Sequence, residues 1–149
     1  MKDGYTFAGG KMYKADFLRK YNIRNCEEFS RFADDTYINM LSYELGKTEI
    51  IPVCLYLYTC NPNSVTNRNG GKDYWSGIIP KFLRCIERTS EIICNYKKAD
   101  EIEHLQGTLA YIREMISRRQ ILEEIDAYNR LLNSLVNMGR TIDPMMYLV

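Results

Sequence analysis

Histidine and tryptophan are nearly missing from this sequence: 149 residues contain one of each. With His104 as the only imidazole, a zinc site would have to be gathered mainly from thiolates. The cysteines do not offer that. Cys26, Cys54, Cys60, Cys85 and Cys94 contain no C-x-x-C pair and sit inside apolar-periodic segments rather than turns. Their odd number, with no Asn-x-Ser/Thr acceptor, also argues against a secreted disulfide framework. We read all five as reduced core thiols and expect no metal and no cofactor.

Long apolar runs are missing too. No stretch approaches the roughly 20 residues a membrane span needs. Met1-Lys2-Asp3-Gly4 has no apolar run behind its charge, so no signal peptide is expected either, and the expected setting is the cytoplasm. A net charge of +1 leaves no global field pulling the chain to nucleic acid or a membrane. Catalytic signatures are also lacking. There is no G-x-S-x-G elbow. Asn69-Gly70-Gly71-Lys72 fails as a phosphate loop, because Thr66 stands where the first glycine belongs and Asp73 where Ser or Thr would hold magnesium. His104 shares a helical stripe with Asp100 and Thr108, which we read as a solvated face.

What the chain has is apolar periodicity. Apolar residues make up 46% and charged residues 26%, ordinary for a globular protein. The length suits a single domain over 1–149. The expected class is all-α, an antiparallel helical bundle, with a small β-hairpin around Gly9-Gly10 in an N-terminal arm over 1–25 and a short helix near Lys14–Tyr21. Asn25 and Glu28 have capping-box spacing. Behind them Phe29, Phe32, Ala33, Tyr37, Met40, Leu41 and Leu45 recur every three or four residues up to Gly46, which predicts a helix over 26–45. Residues 50–60 suit a strand by composition and a helix by the position of Pro52; we favour helix, since a lone strand would lack a partner. Residues 61–73 are an exposed loop. Ser76 caps a helix over 76–98, with Pro80 in its first turn and a stripe of Ile79, Phe82, Ile86, Thr89, Ile93 and Tyr96. Residues 100–138 carry a further stripe whose phase breaks between Ile116 and Ile121. They form one helix or two; Ser117 and Gln120 favour a break, while Arg118 and Arg119 in a first turn would oppose the helix dipole.

Charge is unevenly placed. Residues 1–25 and 50–98 are basic, 26–49 and 99–149 acidic, a pattern expected where neighbouring elements match charge. Lys81, Arg84 and Arg88 share a helix face. With Arg68, Lys72, Trp75, Lys97 and Lys98 they form a candidate track for single-stranded nucleic acid, or else a seam against acidic helices. The acidic pairs at 27–28, 34–35 and 123–124 diverge on a helix and offer no catalytic dyad. Met145, Met146, Tyr147, Leu148 and Val149 form an apolar tail over 140–149 that has to dock, on its own bundle or on a partner.

Three functions stay open: a non-catalytic helical interaction protein (adaptor, inhibitor or assembly subunit), a nucleic-acid binder using 68–98, and an enzyme. The first is the main expectation, with a protein partner or self-association. Small size and absent chemistry would also suit an accessory protein of a phage or mobile element. Titration of the unfolded, unreduced protein with a thiol reagent is expected to return all five cysteines; three or fewer contradicts the reading.

Overall fold

The apolar stripes fold as helices. A computed structural model of the chain describes residues 10–29, 34–53, 57, 59, 61, 72–98 and 105–149. Within them lie five α-helices and, among the described residues, no strand: α1 (Ala15–Lys20), α2 (Asp34–Leu45), α3 (Lys72–Cys94), α4 (Leu105–Arg119) and α5 (Ile125–Asn137). Short 3-10 turns cover Glu27–Phe29, Leu122–Glu124 and Pro144–Met146. The expected hairpin lies outside the described residues, apart from Gly10–Tyr13.

α3 is the centre, with α2, α4 and α5 all packed against it. Its buried residues are Ile78, Ile79, Leu83, Cys85, Ile86, Thr89, Ser90 and Ile93, which by the 3.6-residue period form one face about 160° wide, broad enough to meet three helices. The Thr89 hydroxyl, fully buried, donates back to the Cys85 carbonyl at 2.8 Å, and the Met40 sulfur of α2 lies 3.7 Å from it. Facing α3 are Met40 and Leu41 of α2, Leu109, Ile112 and Ile116 of α4, and Tyr128, Leu132 and Leu135 of α5, all in one core. Tyr128 is wholly enclosed; its hydroxyl donates to the Leu109 carbonyl at 3.2 Å, and burial pushes its phenol up to about 12. A smaller core joins Phe29 to Cys85. Tyr96, expected on the core stripe, is instead exposed.

Helix boundaries differ from the sequence reading for physical reasons. The helix expected over 26–45 is a 3-10 turn at Glu27–Phe29 and then α2 from Asp34, whose first turn carries Asp34 and Asp35, where the helix dipole favours negative charge. α3 starts four residues before the expected cap at Ser76 and ends at Cys94, so Pro80 sits inside it and Lys72 and Asp73 leave the expected loop. Ser76 caps nothing; its hydroxyl donates to Glu123 Oε1 at 2.9 Å. Gly46 closes α2 because Phe17 lies against it: a Cβ there would stand 2.6 Å from the Ser42 carbonyl oxygen and 3.0 Å from the Phe17 ring. The helix favoured over 50–60 is absent at residues 50–53, 57, 59 and 61, which form neither helix nor strand. Ile50, Ile51 and Val53 are each more than half exposed, and a short helix without a buried face does not hold together.

Residues 105–138 are two helices, and the break follows a rule used three times. Gln120 takes a left-handed φ of 54°. The Ile121 N–H then bonds back to the Ile116 carbonyl at 3.0 Å and the Gln120 N–H to Ser117 at 3.3 Å, the Schellman closure. α1 ends the same way through Asn22 (φ 50°), with Ile23 N–H on Leu18, and α5 through Gly139 (φ 81°), with Arg140 N–H on Leu135. The five-residue step from Ile116 to Ile121 is the apolar pair of this motif. Arg118 and Arg119 thus close α4, where the dipole favours them, rather than opening a helix. Left-handed backbone costs a residue with a Cβ about 1 kcal/mol. Gln120→Gly is therefore expected to stabilise the protein by up to about that amount, and Gln120→Val to destabilise it, read as opposite shifts of the urea midpoint at constant slope.

Candidate interaction surfaces

The basic residues of α3 and of the turn after it lie off its buried face, and most of those described are met by carboxylates. Arg84 Nε stands 3.3 Å from Glu28 Oε1, Lys72 Nζ 3.6 Å from Glu123 Oε2, and Lys97 Nζ 3.4 Å from Glu44 Oε2. Arg88 pairs with Glu91 on α3 itself at 3.1 Å. Lys81 is half-buried and Lys98 exposed; Arg68 lies outside the described residues. Basic segment 50–98 therefore meets acidic segments 26–49 and 99–149, as the charge alternation implies. Glu123 is held below the usual carboxylate range by a backbone hydrogen bond first and by the Ser76 hydroxyl second, with Lys72 adding to both.

Aromatic rings gather at one end of α3. Tyr74 and Tyr111 meet Trp75 edge-on at 5.9 and 6.5 Å, and the Arg119 guanidinium lies 5.0 Å from the Trp75 ring. Trp75 is thus half-covered by an arginine of its own chain. Burial raises the Tyr111 phenol, with Arg119 opposing.

The apolar tail docks on its own bundle. Met146, Tyr147 and Leu148 are half-buried against the main core, while Met145 and Val149 project into solvent. Asp143 caps the 3-10 turn by accepting from the Met145 N–H at 2.9 Å. Asn129 and Asn133, four residues apart on α5, and Gln106 on α4 hold the segment through their side-chain amides. Sequence reading missed these three amides. Their one visible signal is a spacing of four between Asn129 and Asn133 beside the stripe of Tyr128, Leu132 and Leu135.

Four apolar side chains before α3 are largely exposed: Ile50 is 64% exposed, Ile51 52%, Val53 61% and Leu57 85%, and none of these four residues lies in a regular element.

One open groove, about 490 Å³, runs between α1 and the end of α2, with Phe17, Tyr21, Glu44, Gly46 and Lys97 on its walls. Another, about 320 Å³, lies between α3 and α5. Among the described residues no group of three or more His, Cys, Asp and Glu could hold a metal ion, and no helix is long and apolar enough to cross a membrane. Cys26, Cys85 and Cys94 are free thiols, and burial pushes Cys85 far up. His104, Cys54 and Cys60 lie outside the described residues. Set against known protein families, curated proteins and solved structures, the chain shows no match.

The Glu44–Lys97 pair is the least solvated of these ion pairs, with the Glu44 side chain 3% exposed. A buried carboxylate that loses its partner retains its desolvation penalty, about 1–3 kcal/mol or more. Lys97→Ala is expected to destabilise the protein by that order in urea unfolding. Adding Glu44→Gln is expected to recover part of the loss, which a merely additive pair would not do.

Proposed function

We propose that this protein is non-catalytic and acts by binding another protein in the cytoplasm, as an adaptor, inhibitor or assembly subunit. The observation that carries this reading is the uncovered apolar stretch Ile50, Ile51, Val53 and Leu57. Soluble chains seldom leave large apolar side chains clustered in water unless a partner covers them. Covering each one is worth about 1.5–3 kcal/mol, enough for a few such residues to support a specific complex. The nucleic-acid reading draws less support, because Lys72, Arg84, Arg88 and Lys97 already face carboxylates of their own chain. Tyr74, Trp75 and Tyr111 remain its best feature.

Ile50→Asp, Ile51→Asp and Val53→Asp together separate the two. The three side chains are exposed, so stability is expected to change by no more than about 0.5 kcal/mol per site. A pull-down from the source cell, treated with nuclease, is expected to retain a protein partner on the parent chain and lose it on the triple variant. Equal retention by both chains contradicts the proposal. So does a partner that disappears with nuclease, or oligonucleotide binding that falls steeply with salt and is lost in a Lys81→Glu, Arg84→Glu, Arg88→Glu variant.

A further inference from the structure

The groove of about 490 Å³ between α1 and the end of α2 is built around a close approach. A Cβ at Gly46 would stand 3.0 Å from the Phe17 ring, so glycine lets α1 lie directly on the turn that ends α2. One wall is aromatic. Phe17 and Tyr21 stand 5.1 Å apart between ring centres, and Tyr96 meets Tyr21 edge-on at 5.1 Å.

The same groove holds a carboxylate that its own chain answers only in part. Glu44 is 2% exposed. Its Oε2 has Lys97 Nζ at 3.4 Å, while its Oε1, also buried, accepts no hydrogen bond among the described residues. A buried carboxylate oxygen calls for an N–H or O–H donor. The charges nearby decide which kind. Lys20, Lys47 and Lys97 line the groove against Asp16 and Glu44. Asp16 is engaged by Arg19 at 2.6 Å and Glu44 by Lys97, whereas Lys20 and Lys47 pair with no carboxylate among the described residues. The surplus is positive, which repels a cationic donor and attracts an anion. A ligand that meets both demands carries an anion and, apart from it, a neutral donor. The rings of Phe17 and Tyr21 favour a flat apolar body between the two.

We propose that this groove binds a small organic anion, a carboxylate or a phosphate, with a planar apolar body and a neutral N–H or O–H group. The donor reaches Glu44 Oε1, the body lies on Phe17 and Tyr21, and the anion meets Lys20 and Lys47. Because Oε1 is buried, the side chains over it turn aside as the donor enters. The site shares no residue with 50–57 and stands or falls independently of the protein partner proposed there.

Amide NMR titration of the full chain tests this with two probes, N-acetyl-phenylalanine for the carboxylate and guanosine monophosphate for the phosphate. Each supplies a ring, an N–H donor and an anion. Saturable shifts at Phe17, Tyr21, Gly46, Lys47 and Lys97 with either probe are the expected result, and the tighter probe names the anion. Removing the anion, as in N-acetyl-phenylalanine amide or guanosine, is expected to weaken binding by about tenfold or more, and so is N-methylation of the donor nitrogen. Lys20→Glu with Lys47→Glu, both exposed, is expected to weaken the anionic probe to a similar degree while the rest of the spectrum stays that of the parent. No saturable shift with either probe up to about 10 mM overturns the proposal. So do shifts confined to residues outside the groove, or equal affinity for a probe with and without its anion or its donor.

Discussion

α3 is the helix on which the others converge, its buried face meeting α2, α4 and α5. It is the longest element, and Ile78, Ile79, Leu83, Cys85, Ile86, Thr89, Ser90 and Ile93 fall within about 160° of its circumference by the 3.6-residue period, one wide face. Charge is left to the other side of the helix and to its ends. There Arg84 and Lys72 meet Glu28 and Glu123, and Lys97, just beyond the helix, meets Glu44 of the elements packed beside it. Basic and acidic stretches alternate along the chain because α3 is flanked in space by acidic neighbours. The individual pairs are mostly exposed and worth little each; their placement matters more, since a helix docked in another register would leave the charges facing each other wrongly.

A second constraint sets the path between helices. α1, α4 and α5 each stop at a left-handed residue, and the chain turns back by a bond from the following N–H to the last turn. At two of these stops the residue after the turn is a buried isoleucine, Ile23 or Ile121. At the third it is Arg140, also buried, which reaches the Ser90 carbonyl and the Cys94 sulfur on α3. That anchor fixes where residues 141–149 begin, and so which groove lies within their reach.

These two constraints leave different surfaces in different states. The cations that read as a binding track are largely answered within the fold. The apolar closing segment is answered too, by three amides and a half-covered groove. The stretch with Ile50, Ile51, Val53 and Leu57 is answered by nothing described, and it carries the case for a protein partner.

Fold class and most core residues were legible from periodicity, because a spacing of three and four can be satisfied only by one face of a helix: Leu105, Leu109, Ile112, Ile116, Tyr128, Leu132 and Leu135 are all buried as their stripe requires. The five-residue step from Ile116 to Ile121 marked a change of phase but left one helix or two open; the left-handed Gln120 decides for two. Boundaries were less legible. Capping signals at Asn25 and Ser76 are local, and burial of Phe29 and the pairing of Ser76 with Glu123 overrode them. What tertiary structure alone decided was the use of each surface. Whether Lys97 is a ligand-binding cation or the partner of a buried carboxylate depends on Glu44, 53 residues away. Whether Leu148 seeks a partner depends on an amide at Asn129. Neither relation has a period or a motif, since side chains distant in sequence meet only once the helices have packed.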